Sequence, residues 1–180
     1  AWAPGETWAE RISYLIRSLE GAYSLTIATK DTLIGVRDPM GIRPLCIGRY
    51  GGGWIIASES CALDQVGAQF LREIQPGETV VINQDGLKSF TSPVQAKNSA
   101  HCIFEHIYFA RPDSILDGHL AYLSRIEMGA RLAREHPAEA DVVIAVPDTA
   151  NAAAIGFARE LNVRSNKNLT SQNQTRSVYT

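Results

Sequence analysis

Three stretches of this 180-residue chain place chemistry-capable side chains close enough to act together. The first is Arg37-Asp38-Pro39-Met40-Gly41-Ile42-Arg43-Pro44-Leu45. Pro39 fixes one backbone angle, Gly41 permits a positive one, and Asp38 can cap neighbouring amides, so the run reads as a tight turn between strands. Two roles are open to it. It is either a braced corner, in which Arg37 and Arg43 pair with Asp38, or an arginine grip on a carboxylate substrate. The second stretch, Cys102-Ile103-Phe104-Glu105-His106-Ile107-Tyr108-Phe109-Ala110-Arg111-Pro112-Asp113-Ser114, reads as an aromatic-rich strand entering an Arg-Pro-Asp-Ser turn. The third is Val142-Val143-Ile144-Ala145-Val146-Pro147-Asp148-Thr149-Ala150. A β-branched run there feeds a loop and then a helix, an order that directs free N–H groups toward an anion. Asp148 can cap that helix or bind Mg²⁺, and Thr149 can do either. Ala150 offers no side-chain oxygen.

Cysteine chemistry is limited. Cys46, Cys61 and Cys102 are an odd number with no C-x-x-C pair, so they build neither a disulfide scaffold nor a complete zinc site, and a reduced, cytoplasmic setting is expected. His101, His106, His119 and His136 form no ligand spacing. Net charge is −2 with a pI near 6.1, which supplies no long-range field for nucleic acid or anionic lipid. A phosphate ligand would therefore be held by local geometry. No apolar run approaches the roughly 20 residues that span a bilayer.

The elements that would position these residues change rhythm along the chain. Thr7-Trp8-Ala9-Glu10 has the capping-box form, and Trp8, Ile12, Leu15, Ile16 and Leu19 follow at helical spacing with Gly21 as a stop. Tyr23, Leu25 and Ile27 alternate with polar or small residues, as on a half-buried strand. Further strands are predicted at 33–37, 45–50, 54–58, 79–83 and 87–90, so the first ninety residues hold one helix and a largely antiparallel β region. Thr91 to Ala100 is polar and aperiodic, a linker. Beyond it, Tyr122, Ile126, Ala130 and Ala133 mark a helix ending at His136-Pro137. Val142 to Val146 predicts a buried parallel strand, and Ala152 to Leu161 another helix, together the opening of an α/β domain. Asn162 to Thr180 is poor in apolar residues and is expected to be loosely ordered.

The motifs also carry a resemblance. Arg37 to Leu45 resembles the R-D-P-x-G-x-R-P-L corner of glutaminase domains in the N-terminal-nucleophile amidotransferases. Ala57-Ser58-Glu59-Ser60-Cys61-Ala62-Leu63 and Ile74-Gln75-Pro76-Gly77-Glu78 extend the match in order. Cys102 to Ser114 is similar to the C-x-F-E-x-x-Y-F-A-R-P-D-S segment of the phosphoribosylpyrophosphate amidotransferases. The Ser-Gly-Gly loop of the asparagine synthetases is missing from this sequence, which favours the former family.

The resemblance, covering Thr7 to Glu160, implies an α+β glutaminase sandwich over residues 1–95. The start of an α/β type I phosphoribosyltransferase domain would follow over 101–180. It implies that the whole enzyme passes glutamine-derived ammonia to phosphoribosyl pyrophosphate, giving phosphoribosylamine, the first step of purine synthesis. Asp148, Thr149 and Ala150 would lie at the phosphoribosyl pyrophosphate and Mg²⁺ site, and Tyr122 near the ammonia path, although helical spacing alone gives Tyr122 an apolar-face role. Cys102 matches a ligand of the 4Fe–4S cluster found in some members, or is an inert thiol. None of the three cysteines matches the nucleophile, which the resemblance puts upstream of Ala1, so no catalytic residue is expected here. A homo-oligomer is expected. The reading from another class is a non-catalytic truncated paralogue serving as a subunit or interaction module.

Overall fold

The computed structural model describes residues 3–91 and 98–166. It divides into two compact units, 1–105 and 106–180, each taken by itself below.

The first unit opens with α1 (Trp8–Ser18), started by the predicted capping box. Thr7 Oγ1 accepts the Glu10 N–H at 3.3 Å, and the Glu10 carboxylate accepts the Thr7 N–H at 3.1 Å. The chain is already extended at Leu19, so the helix ends before Gly21, whose positive φ of 93° serves the following loop instead. Strands β1 (Ser24–Ala28), β2 (Leu33–Arg37), β3 (Cys46–Tyr50) and β4 (Gly53–Ala57) follow, then α2 (Ser60–Gln65), β5 (Gln69–Glu73), β6 (Glu78–Asn83) and β7 (Gly86–Thr91). They form two antiparallel sheets, ordered β1-β2-β6-β7 and β4-β3-β5.

Strand alternation assigns the layers. Ile34 and Val36 of β2 meet Ile12 and Ile16 of α1. Gly35, between them, faces the opposite way, and a β-carbon there would press on Ile56, Val80 and Ile74 at 3.0–3.2 Å. Val80 and Ile82 join Leu45, Ile47 and Ile74 in the seam between the sheets. Cys46, one residue from Ile47, faces outward onto Leu63 of α2. The order is helix, sheet, sheet, helix. Burying each of these Ile, Leu or Val side chains contributes about 1.5–3 kcal/mol, against about 1 for the cap, so the three apolar seams set the fold. The expectation of a single helix in this region is corrected by α2. Six residues are too few for a helical period to show; Cys61 lies in its first turn.

The second unit opens within a π-helical turn, Glu105–Phe109, where a strand was expected. An aromatic run without clear alternation does not distinguish the two. Strands β8 (Ile115–Leu116) and β9 (His119–Leu120) pair around Asp117-Gly118, both at positive φ (51° and 75°), as a two-residue hairpin requires. Next come α3 (Ala121–Glu135), β10 (Val142–Ile144), α4 (Ala150–Glu160) and β11 (Arg164–Asn166). β10 and β11 are parallel and form their own sheet, as the change in periodicity implied. β10 is not the buried strand expected. Val142, Ile144 and Val146 are exposed, because among the described residues this two-stranded sheet is covered on one face only, by α4. β11 falls in the polar stretch expected to be loose, its backbone ordered by ladder bonds to β10 rather than by apolar content. The rest of that stretch, 167–180, lies outside the described residues, as do 92–97 of the predicted linker.

Helices α3 and α4 touch backbone to backbone. A β-carbon on Gly129 would fall inside the Ala153 carbonyl, and one on Gly156 inside the Ile126 carbonyl. Only glycine permits that approach.

Candidate functional site

The Arg37–Leu45 corner is a brace. Arg37 is 2% exposed and directs its guanidinium onto main-chain carbonyls. Nε donates to Arg43 O at 2.9 Å, Nη1 to Ile74 O at 2.7 Å and Nη2 to Gly41 O at 3.1 Å. Its charge faces Glu73 at 3.8 Å, not Asp38 as expected. Asp38, fully buried, instead takes backbone donors: the Met40 N–H at 3.0 Å and the Arg43 N–H at 3.4 Å on its carboxylate, and the Gly41 and Gly77 N–H groups on its carbonyl. No donor of Arg37 is presented to a ligand, so the substrate-grip reading fails for it. Burial, and secondarily the Asp38 carboxylate, push the nearby Tyr23 phenol up, which keeps it protonated.

The Ile74–Glu78 motif is a second brace. Glu78 is buried and accepts from both terminal nitrogens of Arg72 (2.8 and 2.7 Å), from Ser89 Oγ at 2.6 Å and from the Gln75 N–H at 2.7 Å. Burial alone would raise its carboxyl. The hydrogen bonds from Arg72, Ser89 and Gln75 outweigh burial and hold it below the ordinary value.

Residues 98–105 belong to the first unit. The Ala100 N–H donates to Met40 O and the Cys102 N–H to Ile42 O, and Arg43 pairs with buried Glu105. Arg43 thus finds Glu105 rather than Asp38. Cys102 is half-buried on this segment, whereas Cys46 and Cys61 are buried around α2. Among the described residues no three His, Cys, Asp or Glu side chains converge on one point. A four-thiolate cluster therefore does not fit this set, in which Cys102 could be one ligand at most.

In the second unit the N-terminal turn of α3 organises the Arg-Pro-Asp-Ser segment. The Ala121 N–H donates to Ser114 O and the Tyr122 N–H to Pro112 O, both at 2.9 Å. Arg111 and Asp113 pair with each other on the surface, at 3.0 and 2.8 Å. Arg125, 2% exposed, donates through Nε to His106 O and through Nη2 to Ala110 O, both at 2.7 Å. The helical spacing marked Tyr122 and Ile126 but passed over Arg125. A lone arginine one turn from Ala121 and from Gly129 was the available signal. Tyr122 is half-buried.

At the carboxyl end of β10, Asp148 is exposed, while Thr149 and Ala150 are half-buried at the start of α4. The helix begins two residues before Ala152, and neither oxygen-bearing side chain caps it: Thr149 at the N-cap makes no side-chain bond, and Asp148 offers only its carbonyl, to the Asn151 N–H at 3.4 Å. An exposed carboxylate with no hydrogen-bond partner among the described residues suits a hard cation that keeps its waters, as Mg²⁺ does.

The helix, sheet, sheet, helix layers are those of a glutamine amidotransferase domain, whose family model matches residues 5–65. The match with complete proteins is more particular. The amidophosphoribosyltransferase of Archaeoglobus fulgidus is 52% identical over 146 residues, covering 81% of this chain and 32% of that protein. A solved allosteric regulatory enzyme of purine biosynthesis superposes with a TM-score of 0.85 at 39% identity, over 94% of this chain and 38% of its own. The glutamine phosphoribosylpyrophosphate amidotransferase of B. subtilis, solved with ADP and GMP, gives 0.85 at 38% identity, over 95% and 39%. The chain belongs to the amidophosphoribosyltransferase family. It spans about a third of the length of the curated relatives it matches.

Proposed function

We propose that this chain is the part of a purine-synthesis amidophosphoribosyltransferase that carries the later portion of an N-terminal-nucleophile glutaminase domain and opens a phosphoribosyltransferase domain. One observation carries the reading. The 146-residue match exceeds either unit alone, at 105 and 75 residues (1–105 and 106–180), so it joins both in one family. In the whole protein, glutamine is hydrolysed to glutamate and ammonia, and the ammonia displaces pyrophosphate from phosphoribosyl pyrophosphate. Asp148 and Thr149 sit beyond the carboxyl end of a parallel strand, where open α/β sheets take ligands. There Asp148 serves as a magnesium ligand, Thr149 and the first amides of α4 hold phosphate, and Ala150 allows close approach. Tyr122 borders the ammonia path. The protein works in the cytoplasm as a homo-oligomer.

The test is a chimera in which residues 7–160 replace the aligned stretch of the Archaeoglobus fulgidus relative. Glutamine-dependent pyrophosphate release is expected. A folded chimera without it would favour the non-catalytic module. Since neither side chain caps α4, Asp148→Asn should leave the melting temperature unchanged. Losing a charged contact of about 1.5–3 kcal/mol should weaken magnesium-dependent substrate binding about tenfold or more. Unchanged affinity would remove Asp148 from the site.

A further inference from the structure

We propose that Arg125 is a positioning residue that locks 106–114 onto α3 and so fixes that segment as a wall beside Tyr122; the functional half of this rests on the ammonia-path reading above. The guanidinium reaches from α3 to two carbonyls four residues apart, His106 O and Ala110 O, both at 2.7 Å. A planar fork can bridge them, and an ammonium on a flexible stem cannot hold both. One turn earlier on the same helix, the Ala121 and Tyr122 amides hold Ser114 O and Pro112 O. Four contacts from consecutive turns of one helix therefore secure both ends of the segment. The apolar side chains contribute little to this: Ile107, Tyr108 and Phe109 are exposed, and of 106–114 only Ala110 and Ser114 are buried. Hydrogen bonds from α3 hold the segment at both ends, and the two from Arg125 are the side-chain share of them; Ala110 adds a small apolar contact with Ala121.

Ammonia in transit is neutral and escapes through any gap, so a wall whose 106–110 end is held by a buried guanidinium should leak there when that residue is shortened. Two experiments test this. In the unsubstituted 180-residue chain, amides of 106–114 should exchange hydrogen in step with those of α3. In Arg125→Lys they should exchange at least tenfold faster than α3, with β2 and β6 unchanged. Segment amides that exchange independently of α3 in the parent chain, or unchanged exchange in the variant, would overturn the proposal. In the chimera, Arg125→Lys should lower glutamine-dependent product formation about tenfold more than ammonia-dependent formation, with glutamate released in excess of product. An equal fall with both nitrogen sources would reduce Arg125 to a general stabiliser. An inactive unsubstituted chimera would count against the proposed function alone, because the exchange measurement needs no activity.

Discussion

Replacing Glu78 with Gln should unfold the first unit more easily than its conservative chemistry suggests. The carboxylate accepts from Ser89, from the Gln75 N–H and twice from Arg72. Hydrogen bonds to a charged group contribute about 1.5–3 kcal/mol each, which applies to the shielded Ser89 and Gln75 donors. The Arg72 side chain is 42% exposed, so water replaces most of its pairing and about 0–1 kcal/mol is assigned there. Glutamine keeps the shape and one acceptor oxygen but presents an N–H₂ to donors. The expected loss is about 3 kcal/mol, well above the roughly 1 kcal/mol of an average substitution. The sequence has three tryptophans, Trp2, Trp8 and Trp54, and none falls in 106–180, so urea unfolding followed by tryptophan fluorescence reads the first unit and not the second. The pH dependence supplies a second readout. A carboxyl held below its ordinary 4.5 in the folded state contributes stability above that value and loses it as pH falls through the folded value. The parent chain should therefore weaken progressively below about pH 4.5, and Glu78→Gln should flatten that slope. A loss under about 1 kcal/mol together with an unchanged slope would refute the assignment of Glu78 as the brace.

Gly129→Ala gains about 1 kcal/mol of helix propensity, but its β-carbon meets the Ala153 backbone, which cannot rotate away; overpacking of about 1–3 kcal/mol should win. Faster amide exchange in both α3 and α4 would register it, and a stabilised variant would contradict the backbone contact. Burial, with Glu73 adding to it, pushes the Cys46 thiol up to about 12, and Cys61 is also buried, so an aromatic disulfide reagent at pH 8 should titrate Cys102 quickly and the other two only on unfolding. Three fast thiols in the native chain would show the α2 seam to be open.

Most of the antiparallel region was legible because apolar residues recur along its strands against an apolar layer, as Tyr23, Leu25 and Ile27 do against α1. The capping box was legible because it is a local device of four residues. α2 and β5 escaped notice because a six-residue helix shows no period and Gln69–Glu73 mixes charges into a strand. The partners of the ionic groups were not legible either. Arg37 reaches Ile74 and Arg43 reaches Glu105, separations that local charge pairing with Asp38 does not suggest. At the candidate site, the order strand, loop, helix located Asp148 and Thr149, whereas their lack of a capping role depended on side-chain directions that spacing does not determine. Arg125 went unmarked because its targets are carbonyls, which every residue carries.

The bond from Arg37 Nη1 to Ile74 O has a kinetic consequence. It joins positions 37 residues apart, with β3, β4, α2 and β5 between them. The corner can curl locally as soon as it is synthesised, with Arg37 Nε and Nη2 on Arg43 O and Gly41 O, but Nη1 stays hydrated until that whole excursion has returned. Closing such a loop precedes any reward from the contact, which places completion of the corner late in folding. Interactions absent from the transition state act mainly on the rate of unfolding. The buried arginine therefore works as a latch: it does little to hasten assembly of the sandwich and much to delay its opening.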